Sequence, residues 1–362
     1  ELGVGQRQRV EILKVLYRGA RILIFDEPTA VLVPQEVDDL FNALKGLRAE
    51  GMAIIFISHK LDEVLRVADD VTVVRAGSTV AQVKSKDVTA RELAELMVGS
   101  ELPQPTTHGD TRRPEVTLSL KDVSVPTKSG SRDLISHISF DLQAGEVIGI
   151  AGVEGNGQAE LVEAIMGLRE YTGQIEFKGK NIDNYSVAHR HDAGIGLIPE
   201  DRQRQALMMN SPLWENRILG HQRSKPVMRG FILDKKATIA DTRVIMDEFD
   251  VRAPGPHTLA TALSGGNQQK FIVGREMSKA PALLVASHPT RGVDVGAQAA
   301  IWDELRSARE KGMAIVLISA DLEELIGMSD RLLVMLRGAI TAELNPQKTT
   351  PEQLGSAMTG AQ

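Results

Sequence analysis

Two adjacent carboxylates, Asp26 and Glu27, follow a short apolar run in the first part of the sequence. The run, Ile22 to Phe25, is typical of a buried strand, and ligands bind at the carboxyl ends of such strands in open α/β sheets. An Asp at this point can hold a Mg²⁺-bound water, and the Glu beside it can polarise a water for attack. The alternative interpretation is the start of a helix, because Asp-Glu-Pro often begins one.

A second predicted strand, Ala53 to Ile57, is followed closely by His59. A His in this place can contact a phosphate, although most such side chains are ordinary core or surface histidines. Upstream of both strands, a turn that contains Gly3 and Gly5 opens a helix predicted over Arg7 to Leu16. Free N–H groups at a helix N-terminus attract anions, and the alternative is an ordinary helix start.

A glycine-rich loop follows the predicted strand Val147 to Ala151 and precedes an amphipathic helix. Its glycines have the spacing of a phosphate-binding P-loop, and the loop consists of Gly152, Val153, Glu154, Gly155, Asn156, Gly157 and Gln158. The P-loop pattern requires Lys and then Ser or Thr after the last Gly, whereas this sequence has Gln158 and Ala159. Backbone N–H groups can still hold phosphate, but the ammonium and the Mg²⁺-binding hydroxyl are missing. The alternative is a simple tight turn.

The sequence also repeats itself. Residues 2–82 align without a gap with residues 263–343, at a constant separation of 261, and about a quarter of the positions are identical. Such a separation over this length predicts a tandem duplication. The first copy has no counterpart of residues 116–262, so we expect its domain to be incomplete. The predicted parts are a first domain over 1–102, a linker over 103–114 and a second domain over 115–362.

Short apolar runs alternate with amphipathic segments in both copies, which indicates an α/β fold with mostly parallel sheets. Each apolar run is predicted to be a strand buried on both faces. These runs are Ile22–Phe25, Ala53–Ile57, Val147–Ala151, Leu283–Ala286 and Ala314–Ile318. The amphipathic segments Val37 to Ala49 and Ala299 to Arg309 are predicted to be the crossover helices.

Composition excludes several classes of function. A formal net charge of −6 and an aromatic content of 4% argue against a nucleic-acid partner. The absence of Cys excludes a disulfide scaffold and any Cys-ligated metal. No apolar run approaches the roughly 20 residues that a membrane-spanning helix needs.

The motifs, in this order, resemble those of the ATP-binding subunit of ABC transporters, and more narrowly the duplicated subunit of sugar-type importers. The segments that carry the resemblance are Leu2–Leu13, Phe25–Glu36, Ile57–Val64, Ile198–Arg202 and Pro289–Ala297. The resemblance covers essentially the whole chain. It implies tandem P-loop ATPase domains with helical subdomains, ATP and Mg²⁺ as cofactors, and a first glycine loop upstream of residue 1.

In this family each ATP lies between the P-loop of one domain and the signature of the other. The resemblance implies that Asp26 binds Mg²⁺, that Glu27 is the general base and that His59 senses the γ-phosphate. The signature that closes this site from the second domain is Ser264, Gly265 and Gly266.

The other implied site joins the second domain's glycine loop to the turn with Gly3 and Gly5, and it is degenerate. Ser287, His288 and Ala320 stand where the first copy has Asp26, Glu27 and His59. With Gln158 and Ala159 in the loop, five chemical positions are lost, which indicates a site that need not hydrolyse ATP.

The resemblance further implies transmembrane permease subunits as partners, an extracytoplasmic substrate-binding protein acting through them, and a peripheral location on the cytoplasmic face of the membrane. The loop Gly155 to Gln158 and the missing second pair of acids are similar to the nucleoside-importing subgroup, which favours nucleosides over monosaccharides as substrate. The alternatives are a soluble tandem ABC ATPase and a catalytically silent product. Since no glycine loop in the sequence carries the Lys, we expect residues 1–362 alone to be inactive.

Overall fold

We analysed a computed structural model of the chain. It describes residues 14, 20–29, 34–58, 60–75, 77–99, 109–127 and 133–360. The predicted turn with Gly3 and Gly5, the helix predicted over Arg7 to Leu16 (apart from Lys14) and His59 therefore lie outside the described residues. The chain divides into two compact units, one of residues 1–102 with 294–296, the other of residues 103–293 with 297–362.

The described part of the first unit contains two two-stranded sheets, three α-helices with described bounds and a short 3-10 helix, Ser85–Asp87. Its strands are β1 (Ile22–Asp26), β2 (Ala53–Ile57), β3 (Asp70–Arg75) and β4 (Ser78–Lys84). Its helices are α1 (Pro34–Ala49), α2 (Leu61–Val67) and α3 (Ala90–Val98). The strands β1 and β2 are parallel, as predicted, and β3 and β4 form an antiparallel hairpin.

The second unit is built on a six-stranded sheet in the order β10-β13-β14-β7-β15-β16. Every pair in it is parallel except β15 with β16. Its strands are β7 (Val147–Ala151), β10 (Ile195–Ile198), β13 (Leu283–Ser287), β14 (Ala314–Ile318), β15 (Arg331–Leu336) and β16 (Ala339–Leu344). The strands predicted over Val147–Ala151, Leu283–Ala286 and Ala314–Ile318 are thus confirmed as buried and parallel.

An antiparallel sheet in the order β6-β5-β8-β9 accompanies the parallel one, and the sequence pattern did not predict it. Its strands are β5 (Val116–Pro126), β6 (Asp133–Gln143), β8 (Thr172–Phe177) and β9 (Lys180–Asn181), and a separate hairpin consists of β11 (Met228–Arg229) and β12 (Ile232–Leu233). The helices are α4 (Gln158–Met166), α5 (Val187–Asp192), α6 (Leu213–Asn216), α7 (Lys235–Glu248), α8 (Gly265–Met277), α9 (Val295–Glu310), α10 (Leu322–Met328) and α11 (Pro351–Thr359).

Two apolar layers enclose the six-stranded sheet, and each strand contributes alternate side chains to them. Leu284 and Ala286 face a core shared with Ile301 and Leu305 of α9. Leu283, Val285, Val316 and Ile318 face a second core, which the antiparallel sheet and α4 complete. This arrangement makes the carboxyl end of the sheet a rigid platform for the loops that leave it.

The sequence repeat coincides with repeated structure. Ile22 pairs with Ala53 in β1 and β2, and Leu283 pairs with Ala314 in β13 and β14, so both partners are displaced by 261. The helices α1, α2 and α3 begin and end 261 residues before α9, α10 and α11. Each β-hairpin that follows also has an irregularity at the matching position, Val73/Val74 and Val334/Met335.

The prediction that the first unit's strands are buried on both faces is wrong. Leu23 and Phe25 pack against α1, but Ile22 and Ile24 are 64% and 67% exposed and Ile55 and Ile57 are 50% and 47% exposed. The exposed positions correspond, 261 residues later, to Leu283, Val285, Val316 and Ile318. Those four are buried because residues 116–182 supply a second layer, and the described part of the first unit has no such layer.

The described part of the predicted linker, residues 109–114, belongs to the second unit and is hydrogen-bonded to the rest of it. The Thr111 Oγ1 donates to the Gly145 carbonyl at 2.8 Å, and the Arg113 N–H donates to the Ala144 carbonyl at 2.8 Å. Among the residues described, no helix combines the length and the apolar character needed to cross a bilayer.

Candidate functional site

Three of the predicted site segments leave the same edge of the six-stranded sheet. The glycine loop follows β7, Ser287 ends β13 and Ser319 follows β14. The strands β13, β14 and β7 are adjacent and parallel, with Ser287 opposite Ile318 and Ile318 opposite Ile150. The structure therefore brings these positions together where ligands bind in open α/β sheets.

The glycine loop turns tightly from β7 into α4. Three donors converge on the carbonyl of Val153, namely the Asn156 N–H and Nδ2 and the Gln158 Nε2, at 3.2, 2.9 and 3.2 Å. The Asn156 Oδ1 accepts from the Arg337 N–H at 2.7 Å, which fixes the loop to the end of β15. Gly157 precedes α4 with no side-chain cap, so the N–H groups of the first helical turn suit an anion.

Two glycines of this loop adopt the left-handed conformation for different structural reasons. Gly157 has φ 108°, and a Cβ there would lie 2.6 Å from the Cγ2 of Ile135. Gly155 has φ 87°, but a Cβ there would meet nothing within 4 Å. The loop therefore requires Gly at 157 for space as well as for backbone conformation.

We expect Gly157→Ala to lower the free energy of unfolding by about 3 kcal/mol, because strain and overpacking add. Gly155→Ala has only the backbone strain and should cost about 1 kcal/mol. Urea unfolding of both variants followed by circular dichroism measures the difference. Equal losses would show that the contact with Ile135 does not restrict the loop.

The positions predicted to be degenerate carry no acid, and the side chain of His288 is already hydrogen-bonded. Ser287 is buried at the end of β13, and His288 follows with a left-handed φ of 49° and donates its N–H to the Ile318 carbonyl at 2.7 Å. The His288 Nδ1 accepts from the Ala320 N–H at 3.3 Å. Burial lowers the pKa of His288, so its ring is neutral near pH 7. No carboxylate occupies either position.

The first unit repeats this turn with carboxylates in it. Asp26 ends β1 opposite Ile57 and is exposed. Glu27 is half-buried with a left-handed φ of 47°, and its N–H donates to the Ile57 carbonyl at 2.9 Å. The Thr29 Oγ1 donates to the Glu63 Oε2 at 2.5 Å, which fixes the following turn to α2. Glu27 and His288 thus occupy equivalent backbone turns, one in each unit. The first turn carries a carboxylate and the second an imidazole.

The predicted signature begins α8. Ser264 caps this helix by accepting from the Asn267 N–H at 3.4 Å and from the Asn267 Nδ2 at 3.0 Å. Gly266 is buried, and a Cβ on Gly265 would lie 2.6 Å from an Arg202 nitrogen and 2.9 Å from the Gly292 carbonyl. Small residues are therefore required at this helix start, and Ser264 is exposed in front of it.

Sequence reasoning did not give Arg202 a role, but its side chain holds the predicted signature in place. Its guanidinium donates to the Gln268 Oε1, the Arg291 carbonyl and the Gly292 carbonyl at 3.3, 2.7 and 3.3 Å. It therefore ties the segment after β10 to the start of α8 and to the turn after His288. The only sequence signal was its place at the end of Ile198–Arg202, a segment that carries the family resemblance.

Comparison with known proteins agrees with this geometry. Residues 135–291 match the ABC transporter family. The chain is 44% identical to the nucleoside import ATP-binding protein NupA of Lactococcus lactis, with 99% of the chain and 71% of that protein aligned. It is 43% identical to the guanosine import ATP-binding protein NupO of Bacillus subtilis over the whole chain and 71% of that protein. The glucose import ATP-binding protein TsgD13 of Haloferax volcanii is 44% identical, with 99% of the chain and 66% of that protein aligned.

Solved structures agree at the level of the fold. A nucleotide-free ATP-binding cassette from an ABC transporter superimposes with a TM-score of 0.56 at 21% identity, covering 67% of the chain and 95% of that structure. From the family match and from relatives well above 30% identity along nearly its whole length, we conclude that the chain belongs to the ABC transporter family of ATP-binding proteins.

Proposed function

We propose that the chain is part of the ATP-hydrolysing subunit of an importer for nucleosides or simple sugars, with one competent composite site and one degenerate site. In the competent site Asp26 binds Mg²⁺, Glu27 activates the attacking water and His59 contacts the γ-phosphate. Ser264, Gly265 and Gly266 complete the site from the second domain. Hydrolysis belongs to the longer subunit rather than to residues 1–362 by themselves, because the glycine loop in this sequence lacks the P-loop Lys.

The observation that carries the proposal is that Glu27 and His288 occupy equivalent turns, one after β1 and the other after β13. Both residues follow a parallel strand, both have left-handed φ values, and both donate a backbone N–H to the neighbouring strand. Left-handed conformations of non-glycine residues are costly and concentrate at functional sites. Because the backbone is the same in both units, the difference in chemistry lies in the side chains, with carboxylates in one turn and Ser287 and His288 in the other.

We assign nucleotide binding without hydrolysis to the degenerate site. The N–H groups at the start of α4 suit phosphate. The Gln158 side chain donates to the Val153 carbonyl at 3.2 Å, where a P-loop Lys would instead reach the β- and γ-phosphates. Phosphate binding there would rest on backbone dipoles, and the site would have no metal ligand and no base.

We further infer that the first unit belongs to a domain of the same fold as the second. The repeated strand register and helix bounds support this inference. The exposed side chains of Ile22, Ile24, Ile55 and Ile57 also support it, because apolar faces of this kind are normally covered. A layer equivalent to residues 116–182 would cover them, and the chain spans about 71% of the length of its relatives NupA and NupO.

The proposed partners are transmembrane permeases, which would hold the subunit on the cytoplasmic face of the membrane and receive substrate from an extracytoplasmic binding protein. We favour nucleosides as substrate because two of the relatives are named for nucleoside or guanosine import. Monosaccharides are the second candidate, because the glucose-importing relative is equally similar at 44% identity.

Uptake into membrane vesicles tests the proposal. The full-length subunit with its permeases and binding protein should accumulate labelled guanosine in an ATP-dependent manner, and excess unlabelled adenosine should compete. Excess glucose or ribose should leave uptake unchanged. Competition by the sugars alone would favour the monosaccharide importer. ATP hydrolysis that is indifferent to permeases and solutes would favour a soluble ATPase instead.

A further inference from the structure

Two histidines and a glutamate meet inside the second unit, away from the glycine loop. His191 lies in the last turn of α5, His221 follows α6, and Glu276 lies near the end of α8. One ligand atom from each can be chosen so that all three lie within 4.8 Å of one another. The His191 Nε2 is 3.6 Å from the Glu276 Oε2, and the two imidazole rings are 4.9 Å apart at an angle of 78°.

His221 is the unusual member of this cluster. Its side chain is 1% exposed, and neither ring nitrogen has a hydrogen-bond partner. A buried polar group without a partner costs about 1–3 kcal/mol, so such groups in folded proteins generally have a use. Burial above all, together with the charges of Arg217 and Lys279, lowers the pKa of His221 to about 3, so the ring is neutral at pH 7. A neutral imidazole has a free lone pair for a metal.

The surroundings of the cluster are consistent with ligand binding. The Glu276 Oε1 accepts from Arg275 at 2.9 Å, and the Oε2 has two longer contacts, with the Leu197 N–H at 3.4 Å and with the His191 Nε2 at 3.6 Å. Gly220 passes close to His191, and a Cβ there would lie 3.0 Å from the Nε2. A side chain at position 220 would therefore crowd the Nε2 of His191.

Each carboxylate near the cluster is already paired with a cation, Asp241 with Arg217 at 2.5 Å, Glu276 with Arg275 and Asp192 with Arg223. Lys279 contacts Ser224, and Asp192 lies in the same region. The cations oppose a divalent ion and the carboxylates favour it, so affinity would depend mainly on the inner ligands.

We propose that His191, His221 and Glu276 form a binding site for Zn²⁺ or a similar first-row divalent ion. Imidazole nitrogen and carboxylate oxygen are the ligands that Zn²⁺ accepts, at roughly 2.0–2.2 Å. The three ligand atoms lie up to 4.8 Å apart, and a tetrahedral site requires them to be about 3.4 Å apart. Water would take the fourth position.

The bound ion would brace the helix that carries the signature. Glu276 is eleven residues after Gly265 on the same helix α8, whereas His191 and His221 belong to segments on either side of β10 and α6. Cross-linking the three segments would restrain the far end of α8. This role rests on the proposed function, but binding of the ion itself does not.

The test uses the full-length subunit, freed of metal by a chelator and without a histidine tag. Titration with ZnCl₂ by calorimetry should give one site per chain, and CoCl₂ should give visible absorption typical of imidazole and carboxylate ligation. His221→Leu should weaken Zn²⁺ binding by at least about tenfold, the loss found even for outer-shell changes. His257→Leu, at an exposed histidine outside the cluster, should bind like the parent protein.

The folding of the variants can be checked in the same experiment. His221→Leu is apolar and removes two unpartnered nitrogens, so without metal it should unfold at the same temperature as the parent or higher. If His221→Leu does not fold, the Co²⁺ spectrum of the parent protein alone tests whether imidazole and carboxylate bind the metal. No Zn²⁺ binding by the parent, or unchanged binding in His221→Leu, would overturn the proposal. Neither result depends on ATP hydrolysis, so the proposed function would stand.

Discussion

Replacing Glu27 by Gln in the full-length subunit should reduce ATP hydrolysis by about 10²- to 10³-fold and leave ATP binding intact. The amide keeps the size of the side chain and its backbone turn, but it cannot accept the proton of the attacking water. General-base contributions are typically of this size. The Mg²⁺ contact assigned to Asp26 and the phosphate contacts assigned to His59 and Ser264 do not depend on Glu27, so the variant should accumulate bound ATP.

The matched control is His288→Gln, because His288 occupies the same turn 261 residues later. Its Nδ1 accepts from the Ala320 N–H at 3.3 Å and its pKa is lowered by burial, so it is not placed as a base. This variant should hydrolyse ATP within about twofold of the parent rate. Phosphate release and filter binding of labelled ATP measure both variants. Equal losses in the two would contradict one competent and one degenerate site.

Ser264→Arg should also reduce hydrolysis by about 10²-fold or more, with little loss of ATP binding to isolated subunits. Ser264 caps α8 at an exposed, glycine-rich helix start, where N–H groups are suited to a developing negative charge. A long cationic side chain would fill the position that we assign to the γ-phosphate. Loss of one such group of donors typically costs 10²- to 10³-fold in rate.

A second serine separates this effect from the loss of a helix cap. Ser186 caps α5 by accepting from the His189 N–H at 3.4 Å, and Ser186→Arg removes a cap of the same kind. It should cost about 1 kcal/mol of stability and leave hydrolysis nearly unchanged. Gly3→Arg, at the turn that we propose as the signature of the degenerate site, should be milder than Ser264→Arg. Steady-state phosphate release and thermal unfolding are measured for each variant. A larger loss of hydrolysis in Gly3→Arg than in Ser264→Arg would reject the assignment of Ser264.

The local apolar pattern of the sequence was sufficient to predict the parallel strands that position the candidate site. Runs such as Leu283–Ala286 are apolar throughout because parallel strands are covered on both faces, so they were recognisable without a structure. The antiparallel strands β5 and β6 were missed, because they are long and irregular, with several shifts of register. The same apolar pattern misled us at Ile22 and Ile24, since a pattern records which faces are suited to burial and not which neighbours are present.

The sequence by itself determined which chemical groups stand at each motif. It gave Asp26 and Glu27 after one strand, Ser287 and His288 after its repeat, and Gln158 in place of the P-loop Lys, because residue identity and spacing are local. Only the tertiary structure decided that Glu27 and His288 occupy equivalent turns, one in each unit, and that Arg202 holds the predicted signature. It alone revealed the histidine and glutamate cluster, whose members lie on three segments between positions 191 and 276. Contacts between residues so distant in sequence depend on how the elements pack, and spacing along the chain carries no record of that packing.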